Sequence, residues 1–498
     1  MSVQATENSV VQRYPLIARL NRPYIDGAFV DALGDETFAR VTPVNGQPLP
    51  SVASCSDADV DRAVASARRA FESSDWRRRS PRDRKRVLQR LSALMLEHKD
   101  ELAALLTADM GKPIAAATWE VEYSAEVFEW FGESVDHLFG EVAPLGHDAH
   151  ATITREPIGV AAAVTPWNFP LLMPSVKLAP ALASGNTVVL KPAEQSPLAA
   201  LRLAELGTEA GLPDGVLNVI TGLGETAGKA LALHMDVDAL GFTGSTSVGR
   251  LIMKYAAESN LKKVSLELGG KSPSLVLADA NDHEMVAVKT AEAIFGNTGQ
   301  MCDSSSRLVV HESIADSVID QLNTVARRWQ PLDPFDPDSV MGPVVDKSQY
   351  DRVLGYLDVG RAEGAQVVSG GNATMVETGG FYIEPTVLRN VTNDMRVARE
   401  EIFGPVLSVI TFSDEEEGLR IANDTNYGLA ATVWTNDIRK AHRMARELRA
   451  GAVLVNGDEL FDVTLPHGGY KESGIGRDYS HYAFDNWTQL KATYINLA

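Results

Sequence analysis

The chain has 498 residues, 45% of them hydrophobic and 22% charged, with a formal net charge of −20 and a pI near 5.0. That length exceeds the roughly 250–300 residues at which single cores stop growing, so more than one domain is expected. The acidic balance excludes the basic patches that nucleic acids and anionic membranes require.

Two cysteines, Cys55 and Cys302, lie too far apart for a disulfide framework or a metal-ligand spacing. They point to a reducing, cytoplasmic setting with no metal. The polar start (1–21) has no signal-peptide core. The least charged long stretch, 157–176, contains Pro157, Pro166, Pro170 and Pro174. It reads as a buried strand and turn rather than a membrane helix.

Helical spacing of apolar residues runs over 56–71, 83–98 and 119–138. Residues 140–155 lack that period and suggest a strand pair turning at Gly146-His147. From Ile158 onward short apolar runs alternate with helical patterns: strands at 158–164, 187–190, 216–220 and 239–242, helices at 171–184, 197–210, 226–233 and 247–257. Continuous apolar strands alternating with helices predict a doubly wound parallel sheet of the nucleotide-binding kind. A second α/β series follows: strands at 273–277, 308–310, 365–369, 406–411, 431–434 and 452–455, helices at 284–295, 315–329 and 350–363. The chain ends in an alternating strand, 489–497, whose edge needs a partner in the same chain or in another copy.

Chemistry concentrates in a few turns. Cys302 ends Phe295-Gly296-Asn297-Thr298-Gly299-Gln300-Met301-Cys302, a Gly-containing turn between a helix and a strand, where a substrate can reach the thiol. Glu267 ends an apolar strand, and Gly269-Gly270 lets the backbone turn; it suits a general base, or a salt bridge to Lys271 or Lys177. Asn168, in Pro166-Trp167-Asn168-Phe169-Pro170, offers an amide to an oxyanion or caps a turn. Two strand-to-helix turns, Gly222–Gly228 and Phe242–Gly249, are placed to offer backbone donors to a pyrophosphate; the first misses the dinucleotide spacing by one residue and by itself reads equally as a plain turn. Glu194 closes a strand where a carboxylate accepts both adenosine-ribose hydroxyls and repels a 2′-phosphate, which favours NAD over NADP. The other reading of Glu194 is a solvated loop charge.

Together with Lys191-Pro192-Ala193-Glu194, Glu400-Glu401-Ile402-Phe403-Gly404-Pro405 and Gly468–Gly474, these motifs resemble the NAD(P)-dependent aldehyde dehydrogenase superfamily, in order and approximate spacing over nearly the whole chain. The resemblance implies an α/β fold: a Rossmann-type cofactor domain (1–134 and 157–267), an α/β catalytic domain (268–469), and a small β oligomerisation element (135–156 and 470–498). It implies a homodimer or homotetramer, and an aldehyde as small-molecule partner. Cys302 is then the nucleophile, Asn168 the oxyanion donor, Glu267 the base that activates water, and Lys177 a lysine beside them. The cofactor is expected against Thr165, Pro166 and Trp167, against Lys191, Glu194 and Gly224, and against Phe242, Gly244, Ser245 and Leu268. Glu401 and Phe403 would sit at the nicotinamide ribose and ring. Glu267 argues for water rather than coenzyme A as acceptor.

The substrate pocket is expected from Tyr123, Phe169, Leu172, Met301, Asp303, Glu459, Phe461 and His467. Asp303 is an unusual neighbour for the nucleophile, and His467 stands where many members have Phe. Acidic residues at 458–462, with Glu120 and Glu122 near Tyr123, suggest a polar or amino aldehyde. Trp167, Phe169, Tyr123, Trp130 and Phe461 suit an aromatic or medium-chain aldehyde equally. A non-catalytic NAD-binding protein on the same fold is the alternative of a different class.

Overall fold

The computed structural model describes residues 10–73, 75–457 and 461–498. The first apolar runs become a sheet of eight strands. Its order is Ala28–Phe29, Tyr24–Ile25, Leu217–Val219, Thr187–Lys191, Val160–Val164, Ala239–Thr243, Lys263–Glu267 and Gly474–Ile475. The five central strands are parallel, and the two ends are closed by antiparallel pairs. Val160–Val164, Thr187–Lys191 and Ala239–Thr243 are buried along their whole length, which is why they read as unbroken apolar runs. The chain runs outward one way from Val160–Val164 and then resumes on its other side. The carboxyl end of that strand is therefore a topological switch point, where doubly wound sheets bind ligands.

The second sheet has seven strands, ordered Gln366–Ser369, Thr386–Arg389, Val406–Phe412, Arg307–His311, Pro273–Val276, Ala430–Trp434 and Ala452–Val455. All pairs are parallel except the first. A third sheet, wholly antiparallel, joins Thr488–Asn496 to Ala149–Pro157 and that strand to Glu141–Ala143. The expected hairpin at 140–155 is thus present, and the terminal strand pairs with it through nine residues, from Thr488↔Pro157 to Asn496↔Ala149. Its outer edge pairs with no other strand among the described residues, and Leu490, Tyr494, Ile495 and Val142 are exposed on this sheet.

Helices cover both large sheets. Leu172–Ala183 is buried at eleven of its twelve positions, and Pro180, inside it, has no N–H to give to the ladder. Among the described residues, no helix is long and apolar enough to cross a membrane.

Candidate active site

A cavity of about 630 Å³ opens where the two large sheets meet. Its wall is built from turns that leave the carboxyl ends of Val160–Val164, Ala239–Thr243 and Lys263–Glu267, and from turns that enter the amino ends of Arg307–His311 and Val406–Phe412. Residues far apart in sequence meet because both sheets aim their connecting turns at one cleft.

Cys302 lies on this wall, partly accessible, next to Asp303. The turn before it holds Asn297 and Thr298 at φ 47° and 59°. A left-handed β-branched residue is strained, and the surroundings hold it there. Gln300 closes the turn, accepting from Val345 N–H through its side chain at 2.9 Å. The Gln300 carbonyl accepts from Asn168 Nδ2 at 2.9 Å, and Asn297 Nδ2 donates to the Asn168 carbonyl at 3.0 Å. The Cys302 turn and the Asn168 turn thus lock each other, and the Asn168 amide has a second N–H to donate.

The glycine pair after Glu267 has a steric reason. A Cβ on Gly270 would lie 2.0 Å from the Cys302 carbonyl oxygen, and one on Gly269 would lie 2.4 Å from Glu401 Oε2. Without side chains, this turn lets the thiol backbone and the Glu401 carboxylate close in from opposite sides. Glu401 accepts from Gly270 N–H at 2.9 Å, and burial pushes its carboxyl up to about 7. Burial, then Asp303, Glu267 and Glu401, raises the Cys302 thiol well above its ordinary range, so the resting thiol is protonated at neutral pH.

Glu267 is buried on the wall, 3.4 Å from His467 Nε2. Lys177 does not reach it: its ammonium is buried against Asp478 at 2.7 Å. Burial alone would push the His467 imidazole down, but Glu267, with Asp303 and Asp478, carries it from 6.5 up to about 9.

Pro166, Trp167, Gly244, Ser245, Leu268, Glu401 and Phe403 all reach the cavity. The Trp167 and Phe403 rings meet edge to face at 5.3 Å. Phe242 lies beneath, in contact distance of any Cβ added at Gly244. Lys191, Glu194, Thr165 and Gly224 are not on the cavity wall: Lys191 ends Thr187–Lys191 with Glu194 just beyond, Thr165 follows Val160–Val164, and Gly224 lies in the helical turn after Leu217–Val219. Lys191 Nζ donates to Glu194 at 3.0 Å, and Thr165 N–H donates to the Lys191 carbonyl at 3.1 Å. A nicotinamide dinucleotide fits these residues. Thr243 Oγ1 is buried without a partner among the described residues, and Ser245 caps the thirteen-residue helix Thr246–Glu258, whose N-terminus faces the cleft.

Five expectations for the pocket need correction. Met173 and Val176 line the cavity, one turn apart, and Leu172 faces the core instead. Met301 is not on the cavity wall; it lines a small void beside Gly270 and Ile294 and packs against the core that holds Phe169. Tyr123 is buried behind Phe461, stacked on Trp119 at 5.3 Å. Glu120 is fully buried, paired with Lys112 and accepting from the N–H groups of Leu171 and Leu172 at 2.9 and 3.0 Å, so it cannot meet substrate. Glu122 pairs with Lys99 at 2.7 Å on the surface. Glu459 lies outside the described residues. Phe169, Asp303, Phe461 and His467 do line the cavity.

Sequence reading missed Gln349, Arg352, Asp478 and Tyr479 on the wall. Gln349 donates to the carbonyls of Ile402 and Phe403 at 3.0 and 2.7 Å, and Arg352 to that of Glu401 at 2.6 Å. These bonds fix the Glu401–Phe403 turn, with Phe403 at φ 60°. No local pattern in the sequence signals such long-range contacts.

The model of the aldehyde dehydrogenase family matches residues 29–493. The chain belongs to the aldehyde dehydrogenase family. It is 47% identical, over 96% of both chains, to an NADP/NAD-dependent aldehyde dehydrogenase of Escherichia coli. It is 53% identical to a γ-glutamyl-γ-aminobutyraldehyde dehydrogenase of Burkholderia cenocepacia whose structure is solved, with a TM-score of 0.95 over 98% of this chain and 100% of that one. An indole-3-acetaldehyde dehydrogenase of P. syringae, solved in complex with NAD+, is 50% identical, with a TM-score of 0.96 over 98% of this chain and 99% of that one. This aldehyde dehydrogenase is an NAD(P)-dependent enzyme that oxidises an aldehyde to its carboxylic acid.

Proposed function

We propose that this aldehyde dehydrogenase takes an amino aldehyde, with Asp303 as the counter-charge for its ammonium. The observation that carries the reading is a charge balance. Six carboxylates line the cavity. Glu267 faces His467, Asp478 is paired with Lys177, Glu472 with Arg250 and Glu400 with Arg396, while Glu401 takes the Gly270 N–H. Asp303, partly buried beside the thiol, has no ion pair or hydrogen bond among the described residues. An ammonium there also removes one of the charges that hold the Cys302 thiol up. Aromatic rings frame the approach. Phe461 lies edge-on to Trp119 at 5.0 Å and 6.1 Å from Phe169, and such faces also attract cations.

In this reading Cys302 first loses its thiol proton to solvent, its thiolate sulfur attacks the aldehyde carbon, and the oxyanion takes hydrogen bonds from Asn168 Nδ2 and Cys302 N–H. NAD+, held by Glu401, Phe403, Trp167, Ser245 and Leu268, supplies the hydride acceptor. Once the aldehyde carbon has lost its hydride, Cys302 carries a thioester. Glu267 takes a proton from water, whose oxygen bonds to the acyl carbon as the C–S bond breaks. Glu194 accepting the adenosine-ribose hydroxyls favours NAD over NADP. A working thiol must stay reduced, and both cysteines are free, which supports a cytoplasmic setting.

Asp303→Asn is expected to raise KM for 4-aminobutanal about tenfold, the worth of roughly 1.4 kcal/mol, and to change hexanal by less than about threefold. Equal effects on both aldehydes, or a wild type that prefers hexanal, would sink the amino-aldehyde reading. A preference for benzaldehyde would support the aromatic alternative, which the ring frame favours.

The free edge of Thr488–Asn496 is read as a contact between copies in a homodimer or homotetramer. Leu490 and Tyr494 share one face of it and are 65% and 66% exposed. Replacing both by Glu should shift sedimentation to a smaller species; a wild type that already sediments as a monomer refutes the contact.

A further inference from the structure

Glu267 is buried at the end of its strand, and neither carboxylate oxygen has a hydrogen bond among the described residues. Burying a carboxylate costs free energy unless an opposite charge or hydrogen bonds compensate it. One cation stands against it: His467 Nε2 is 3.4 Å from Glu267 Oε2. The main chain that carries the imidazole is fixed. The His467 backbone N–H donates to the Asp478 carbonyl at 2.9 Å, and the Asp478 backbone N–H returns a bond to the His467 carbonyl at 2.7 Å. The next residue, Gly468, brings bare backbone onto the carboxylate, since a Cβ there would lie 3.0 Å from Glu267 Oε1.

The charged surroundings of His467 are acidic on every side. Glu267 faces it from the cofactor sheet, Asp303 from the nucleophile turn, and Asp478 from the C-terminal segment, where the Tyr479 ring lies edge-on at 6.2 Å. Nearby cations are engaged elsewhere: Lys177 on Asp478, and Arg477 on the Gly476 carbonyl at 2.6 Å. Lifted to about 9, the imidazole keeps its proton throughout the neutral range.

We propose that His467, as an imidazolium, is a positioning residue for Glu267: it holds the carboxylate ionised and aimed, and so sets the acid limit of thioester hydrolysis. In that step the water proton passes to Glu267, the water oxygen bonds to the acyl carbon, and the C–S bond breaks with its electron pair on the Cys302 sulfur. The proton on Glu267 leaves to solvent before the next turnover. His467 keeps its own proton and makes or breaks no bond.

The test uses hexanal, so that no substrate amine titrates, and follows kcat from pH 6 to 10. Intact mass after rapid quench gives the acylated fraction at pH 7. His467→Phe should move the acid limb of kcat up by about one pH unit or more, about tenfold slower at pH 7. It should accumulate acylated enzyme at pH 7, and approach wild-type turnover at pH 9.5. His467→Gln, which keeps size and polarity without charge, should shift the limb in the same direction. His467→Lys, which keeps a cation, should restore it. A loss independent of pH, an unmoved limb in both uncharged variants, or no acyl-enzyme at pH 7 would overturn the proposal. If the Phe variant does not fold, the Gln and Lys variants carry the same readouts.

Discussion

Cys302→Ala is expected to remove NADH formation from every aldehyde tested, by at least about a thousandfold, while NAD binding persists. The geometry gives this its size. The Gly270 turn closes on the Cys302 carbonyl, Asn168 holds the Gln300 carbonyl of the same turn, and no second thiol reaches the cavity, because Cys55 is buried beside Thr221. Glu267→Gln separates the two halves of the reaction. It should release about one NADH per active site in a burst and then turn over some 10²–10⁴-fold more slowly, because hydrolysis in the proposed mechanism needs Glu267 as the base. Turnover that survives in the Ala variant, or a Gln variant without a burst, contradicts the assigned roles. Binding is read calorimetrically, so that loss of fold is not mistaken for loss of chemistry.

What the sequence revealed, and what it hid, follows from the range of the interactions. Strands such as Val160–Val164 and Ala239–Thr243 were legible because burial on both faces leaves an unbroken apolar signature. Asp57–Ser73 and Pro81–Glu97 were legible because one face is wet, so the helical period shows. Lys99–Met110 was not read, since all residues from Leu102 to Met110 are buried and no period survives. Cys302, Glu267 and Asn168 stand in turns rich in Gly, Pro and Asn, which mark themselves. Their supports do not. The choice between Leu172 and Met173 depends on one residue of helical phase. Gln349, Arg352 and Asp478 act across long stretches of chain, where spacing carries no information. Glu120 shows the hazard most clearly. An acidic residue near a tunnel helix reads as a recognition group until its buried partner is visible.

That buried partner makes Glu120 the site of the largest expected stability effect. One oxygen of Glu120 accepts two N–H groups, from Leu171 and Leu172, at the start of the helix that follows Asn168 and Phe169. The other takes the Lys112 ammonium, which also lies 3.8 Å from the centre of the Phe169 ring. Both side chains are at most 2% exposed. Glu120→Leu strands a buried cation and two buried donors together, and breaking such a pair typically costs about 3–5 kcal/mol. The variant should therefore show a marked fall in thermal midpoint, and a fall in kcat as the Asn168 turn loosens. Two further variants divide the cost. Glu120→Gln keeps an acceptor for the N–H groups and loses the charge. Glu120→Leu with Lys112→Met removes the stranded cation but leaves the donors bare. Recovery in the double variant assigns the loss to the unpaired ammonium, because an apolar replacement of a buried pair is often neutral. Recovery in Glu120→Gln instead assigns it to the helix start, and so to the turn that presents Asn168. A Glu120→Leu protein as stable as wild type would mean that the pair anchors neither.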